Sequence, residues 1–254
     1  MQIFFIIDED VRSLLGAETC QELNLIKVIA SDISESGTVN AVNDKVQTAH
    51  IVLTRDPILK EYSDVFEGLG CMDGPYHMEL DETVKPVVHP PRKVPVALRD
   101  RLKEELDKLV REKVITPVTE PTNWVSSLVL VNKPEKLRIC IEPQDLNRAL
   151  LRAHYPLPTI EDVATRLCKA KVFSVLDAKN GFWQVQLDKP SSLLTTFNTP
   201  FGRYRWLRLP FGIKTAPEEY QRRIHESLQG LKGIEDIVDD ILCVGEGDTY
   251  ESAA

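Results

Sequence analysis

The sequence predicts an α+β fold, with an antiparallel sheet backed by helices. Three observations predict it. Short apolar runs, such as Val172 to Leu176 and Leu137 to Ile141, are separated by polar turns, as strands are. Ala97 to Lys113 places Leu98, Leu102, Leu106, Leu109 and Val110 on one helical face and its charges on the other. Ala216 to Leu228 has helical spacing with Pro217 in its first turn, where the missing N–H costs nothing.

Taken in order, Gln2 to Ile7 reads as a buried strand, and Ala17 to Leu25, after Leu14-Leu15-Gly16, as a short helix. From Ala30 to Asp56 the chain turns to Ser, Thr, Asn and Asp without a period, a linker. A second unit begins near Pro57. Ile58 to Phe66 predicts a short amphipathic helix, Gly68 to Pro75 a loop and Tyr76 to Leu80 a half-buried strand. Val84 to Pro95 contains Pro86, Pro90, Pro91 and Pro95 and must be extended. The helix Ala97 to Lys113 follows. Trp124 to Asn132 and Leu137 to Ile141 predict a β-hairpin with the basic tip Lys133-Pro134-Glu135-Lys136. Thr159 to Leu167 predicts a helix, Val172 to Leu176 a strand ending at Asp177, and Trp183 to Leu187 an alternating strand. Ile234 to Val244 predicts strand, turn, strand, with Val238-Asp239-Asp240 in the turn.

The chain has 254 residues, 43% hydrophobic, 28% charged and 7% aromatic, which allows one large or two smaller domains and excludes collagen-like, coiled-coil and wholly disordered chains. Cys20, Cys71, Cys140, Cys168 and Cys243 are odd in number and form no CxxC pair, which points to reduced thiols rather than a zinc ribbon or disulfide framework. Met1 to Ile7 is too short for a secretion signal and is followed by Asp8, Glu9 and Asp10. No run approaches the roughly eighteen apolar residues of a membrane helix. The expected location is intracellular, cytoplasmic or nuclear, with no membrane partner.

The net charge of −8 argues on its own against nucleic acid as a partner. The average hides an asymmetry. Residues 1–56 hold four basic residues against nine acids, whereas Thr199 to Arg223 holds six against two and interleaves Phe201, Tyr204, Trp206, Phe211 and Tyr220. That segment suits either a nucleic-acid surface, with cations on phosphates and rings on bases, or an ordinary solvated amphipathic stretch.

Asp177 closes one apolar run, and Asp239-Asp240 separates two others. Singly, such acids are turn or cap formers. Consecutive strand residues face opposite ways, so Asp239 and Asp240 converge only in a tight hairpin turn. With Asp177 from a neighbouring strand they would gather carboxylate oxygens without histidine or cysteine, a set that suits Mg²⁺. Two such ions serve in-line nucleotidyl transfer.

Five stretches lie in one order: LRICIEPQDLN (Leu137 to Asn147), HYPLPTIED (His154 to Asp162), FSVLDAKNGFWQV (Phe173 to Val185), TTFNTPFGRYRWLRLPFGIKTAPEEYQ (Thr195 to Gln221) and IVDDIL (Ile237 to Leu242). Through them the chain from Pro57 onward resembles the reverse transcriptase of gypsy-type LTR retrotransposons. The resemblance implies the fingers and part of the palm of a right-hand polymerase. It implies an RNA- or DNA-templated DNA polymerase acting on an RNA/DNA primer-template and dNTPs. In the same reading Asp177, Asp239 and Asp240 hold two Mg²⁺ ions, for which Mn²⁺ can substitute, with Asp177 and Asp239 the principal ligands. One ion would activate the primer 3′-hydroxyl and the other bridge the triphosphate. Arg138 and Lys133 would grip the triphosphate, a task that suits a planar guanidinium. Phe182, five residues after Asp177, would be the aromatic gate against a 2′-hydroxyl. Phe211-Gly212 would pack on the nucleotide and template base, where glycine permits close approach, and Val238 would touch the primer terminus.

Departures from the family's pattern are Glu142 for a usual Asp, Gln144 for a usual Arg or Lys, and Tyr220 for a usual Phe. The first two would weaken one fingers contact. Ile3 to Ile26 resembles the last third of a retropepsin-like protease, without the catalytic Asp-Thr/Ser-Gly, so no protease activity is expected. The expected organisation is a protease-like, β-rich remnant at 1–30, a linker at 31–56 and fingers with a partial palm at 57–254. The rest of the palm, the thumb, the connection and RNase H are expected to be missing, so remaining Pol domains or a second chain are further expected partners. Two readings follow: a two-metal reverse transcriptase, or an inert or domesticated retroelement fragment that binds nucleic acid or a protein.

Overall fold

The computed structural model describes residues 60–132, 137–167 and 170–246. Expectations for 1–59, for the hairpin tip with Lys133, for Cys168 and for 247–254 lie outside the described residues. Helix α1 (Val96–Arg111) opens after an extended Pro95 and buries Leu102, Leu106 and Leu109 as one stripe. It closes in a Schellman turn. Lys113, at φ 56°, lets the Val114 N–H donate to the Leu109 carbonyl at 2.9 Å and its own N–H donate to the Val110 carbonyl at 3.1 Å. Before it, residues 84–95 run extended, and Val125 exchanges backbone hydrogen bonds with Val87 and His89.

Three small antiparallel sheets follow. Strands β1 (Ile115–Pro117), β5 (Phe197–Thr199) and β6 (Gly202–Trp206) are ordered β1-β6-β5, and β2 (Ser127–Asn132) pairs with β3 (Leu137–Glu142) as a hairpin. Strands β4 (Ala170–Asp177), β7 (Ile234–Ile237) and β8 (Asp240–Glu246) are ordered β4-β8-β7. Helices α2 (Gln144–Ala149), α3 (Ile160–Arg166), α4 (Lys189–Leu194) and α5 (Ala216–Leu228) complete the α+β fold. Helix α4 is capped by Asp188, whose carboxylate accepts from the Ser191 N–H at 2.8 Å. One core joins α1, β3, β6 and α5 through Leu106, Ile139, Trp206 and Tyr220. Burying a large apolar side chain of this kind contributes about 1.5–3 kcal/mol.

Several expectations change. Tyr76 to Leu80 is not a strand: Tyr76 and Leu80 make isolated bridges to Leu187 and Leu150, too far apart in the fold to share a ladder. Trp183 to Leu187 is not a strand either. Asn180, at φ 53°, turns the chain left-handed, and Gly181–Gln184 forms a single 3₁₀ turn. Of residues 58–66, Lys60 and Glu61 are helical as expected, and the chain then tightens to a short 3₁₀ turn at Ser63–Phe66. Asp240 belongs to β8 rather than to the preceding turn.

The basic aromatic segment is a further correction. Tyr204, Trp206 and Tyr220 are core residues. Arg203 donates to the Glu120 carbonyl at 3.0 Å, Arg205 to Ser192 Oγ at 2.5 Å, and Arg223 to the carbonyls of Asp73 and Gly74 at 2.6 Å. Arg222 is held by Glu219 and Glu226, each at 2.8 Å. The segment's charge is largely spent on the fold rather than presented as one phosphate-binding face.

Candidate active site

Asp177 ends β4 in register with Asp240, the first residue of β8. Opposed residues of a ladder share a face, so these carboxylates point the same way. The turn Val238-Asp239 joins β7 to β8. Val238 lies at φ 53°, a left-handed conformation that strains a β-branched side chain. Its N–H donates to Gln221 Oε1 at 2.6 Å. The Gln221 amide nitrogen donates to the Asp236 carbonyl at 3.3 Å and also to the Asp236 carboxylate. On the other side the Ala178 N–H donates to the Asp239 carbonyl at 2.8 Å. One fully buried side chain on α5 therefore fastens the strained turn to the strand that leads into it.

A cleft of about 350 Å³ lies against this turn and is lined by Asp177, Asp239, Arg138, Asn180, Trp183 and Phe211, among others. Alternation along β3 buries Leu137, Ile139 and Ile141 and leaves Arg138 exposed. Burial pushes the Cys140 thiol up, against the opposing charge of Arg138, so the one cleft sulfur on β3 stays a thiol. Asp240 is not among the residues lining the cleft. Phe182 is buried just behind it, with ring centroids 5.0 Å from Phe211 and 5.5 Å from Tyr220. Gly212, at φ 102°, makes its close approach to β3: a Cβ there would stand 2.7 Å from the Ile141 carbonyl oxygen. A larger cleft, about 590 Å³, opens beside α3 and β7. Among its lining residues Arg166 pairs with Glu235 at 2.7 Å, His225 Nδ1 lies 3.3 Å from the Asp236 carboxylate, and Asp162 accepts from the Thr159 hydroxyl at 2.7 Å.

The electrostatics single out the turn. Burial, then the charges of Asp177 and Asp240, hold the Asp239 carboxyl above the usual carboxylate range. Burial, then Asp177, raise Asp240 in the same way. Asp239 Oδ1 is buried without a hydrogen-bond partner. Bunched acids with an unpartnered buried oxygen fit a cation, which would relieve both the repulsion and the lost hydration. Among the described residues no three carboxylate, imidazole or thiol side chains gather tightly enough to hold a metal ion unaided. Mg²⁺ commonly takes one or two carboxylates plus substrate phosphates, so Asp177 and Asp239 suffice as the protein's share.

Three contributors were not legible as site residues. Gln221 reads as an ordinary polar helix position and Trp183 as a strand residue, and no local pattern singles out Gly181. Gly181 is packed so closely that a Cβ would stand 2.7 Å from Tyr220 Oη and 2.8 Å from Asp239 Oδ1. The departures at 142 and 144 compensate each other: Gln144 donates to Glu142 at 2.9 Å, and Arg92 pairs with the same carboxylate.

Residues 131–251 match the sequence family described as reverse transcriptase (RNA-dependent DNA polymerase). An uncharacterized Caenorhabditis elegans protein is 32% identical over 207 residues, 78% of this chain and 16% of that one. The retrovirus-related Pol polyprotein from transposon 412 of Drosophila melanogaster is 35% identical over 155 residues, 58% of this chain and 12% of the polyprotein. The chain thus spans less than a fifth of the length of these two relatives. The fold is similar to that of the foamy viral protease-reverse transcriptase solved with an RNA/DNA hybrid, with a TM-score of 0.67 and 21% identity over 78% of this chain and 28% of that one. Within residues 131–251 the chain is similar to the reverse transcriptase domains of retroelement Pol polyproteins. Its α+β fold is similar to the polymerase fold of a reverse transcriptase.

Proposed function

We propose that the chain is the RNA-directed DNA polymerase unit of a gypsy-type retroelement and joins dNTPs to a primer by two-metal nucleotidyl transfer. The observation that carries this is the cleft lined jointly by Arg138 from β3 and by Asp177 and Asp239 from the β4 end and the β7–β8 turn. When bound, two Mg²⁺ ions, or Mn²⁺ in their place, would supply Lewis acidity to the 3′-hydroxyl and the triphosphate. Asp177 and Asp239 would hold them, with Asp240 adding negative charge from beside Asp177, its partner in the ladder. The Arg138 guanidinium presents a fork that suits phosphate oxygens, and Lys133 belongs to the same grip. Phe211 would form the aromatic wall on which sugar and base rest, backed by the buried Phe182 as the gate residue behind it; Gly212 brings that wall up to β3, and Val238 would meet the primer end. An RNA/DNA primer-template is the expected partner, and the similar foamy viral protein was solved in complex with an RNA/DNA hybrid. The division into a protease-like 1–30, a linker 31–56 and a polymerase unit from 57 belongs to the same reading.

The test is primer extension on an RNA/DNA primer-template with Mg²⁺ and four dNTPs, comparing the chain with Asp177→Asn. Extension by the wild type that falls at least a hundredfold in the variant is expected. A folded wild-type chain that extends no primer would sink the polymerase reading and favour an inert or domesticated fragment that binds nucleic acid or protein. A second variant probes the turn. Gln221→Leu leaves the Val238 N–H unpartnered and is expected to lower extension by about 10–100-fold, with kcat falling more than the KM for dNTP rises.

A further inference from the structure

Tyr220 is fully buried, and its hydroxyl has no hydrogen-bond partner. Asp239 Oδ1 is likewise buried and unpartnered. The two atoms press on the same side of Gly181, at 2.7 and 2.8 Å from where its Cβ would be. Their chemistry is complementary: a phenol donates and a carboxylate oxygen accepts. The ring is anchored, edge-on to Phe182 and one residue before Gln221. Leaving two buried polar atoms unpaired side by side is costly, and pairing them satisfies both.

We infer that Tyr220 is a positioning residue for Asp239: its hydroxyl donates to the buried Oδ1, directly or through one water, and thereby commits the other carboxylate oxygen to the cleft. The hydrogen bond stands on the geometry alone; only its consequence for extension rests on the polymerase reading above. A Phe at this position would leave Oδ1 without a donor. A hydroxyl that merely fills core space predicts the opposite of this inference, because its removal would then stabilise the fold and change nothing at the carboxylates.

The experiment uses the full chain labelled with ¹³C at tyrosine Cζ, with the Tyr220 resonance assigned as the one absent from Tyr220→Phe. That resonance is expected to move toward the position of a free phenol in Asp239→Ala, which has no side-chain acceptor, while the other tyrosines stay put. An unmoved resonance overturns the inference whether or not the chain extends a primer. In parallel, Mn²⁺ alone is titrated by electron paramagnetic resonance. Tyr220→Phe is expected to bind it roughly tenfold more weakly, the equivalent of one charge-assisted hydrogen bond, while melting no higher than wild type. Wild-type affinity and wild-type kcat in Tyr220→Phe overturn the positioning role. A wild-type chain that binds no Mn²⁺ and extends no primer fails the polymerase reading instead, and the resonance still decides the hydrogen bond.

Discussion

Asp239→Asn is expected to melt at a higher temperature than the wild-type chain while losing primer extension roughly a thousandfold. The two effects have one origin. Asp239 is held above the usual carboxylate range by burial and by its acidic neighbours, so the folded state binds its proton more tightly than the unfolded chain does. For such a group the stabilising contribution is present at low pH and is lost as pH rises from the unfolded value, about 3.9, through the raised folded value. At neutral pH the charged carboxylate therefore works against the fold, and an isosteric amide removes that charge. The melting gap between variant and wild type should widen between about pH 4 and pH 7 in scanning fluorimetry. Mg²⁺ should then narrow the gap by raising the wild type alone. Each kcal/mol corresponds to about 2–4 °C for a domain of this size. A variant that melts lower at neutral pH would show that the Asp239 charge stabilises the fold instead.

The second large effect is expected from the smallest substitution. Gly181→Ala adds one methyl group 2.7 Å from Tyr220 Cζ and Oη and 2.8 Å from Asp239 Oδ1, inside the distance real Cβ contacts occupy. Tyr220 is fully buried between helix and sheet and cannot yield. The strain falls on Asp239 and on the 3₁₀ turn that carries Phe182 and Trp183. Overpacking of this kind costs about 1–3 kcal/mol, and a displacement near 1 Å at a reacting group costs about a hundredfold in rate. Single-turnover extension at saturating dNTP checks it: a variant within threefold of wild type would show that the notch at Gly181 tolerates filling and that Asp239 is not fixed by it.

How far the sequence could be read depended on whether a residue's role was local. Helix α1 and helix α5 were legible because their apolar residues repeat at helical spacing and a proline stands at each start. The β2–β3 hairpin and the β7–β8 pair were legible because apolar runs flank short polar breaks. Alternation misled at 183–187, where the left-handed Asn180 converts the start of an alternating pattern into a 3₁₀ turn. It misled again at 76–80, which bridges two distant partners rather than one strand. The carboxylates Asp177 and Asp239 could be found from acids at strand ends, yet their support could not. Gln221 reaches Val238 across 17 positions, and no local pattern marks a glutamine that will fasten a turn. The cations of 199–223 invited a nucleic-acid reading, and only tertiary structure shows their hydrogen bonds running to carbonyls and carboxylates of the same chain.

The binding of Arg223 to the Asp73 and Gly74 carbonyls, 150 and 149 positions away, bears on how the molecule comes into being. The segment around these residues is stitched almost wholly to later chain: Met72 to Gln184 at 2.9 Å, Tyr76 to Gln186 at 2.7 Å and to Thr215 at 3.0 Å, Met78 to Ser191 at 2.8 Å. At about 5–20 residues per second, a ribosome delivers Arg223 of helix α5 roughly eight to thirty seconds after the segment it secures. The partners at 184–191 emerge only about 110 residues after the segment and Arg223 last, and the closure of so long a loop makes the segment one of the last pieces to settle. During synthesis it is therefore the natural place for a chaperone or a protease to engage the nascent chain.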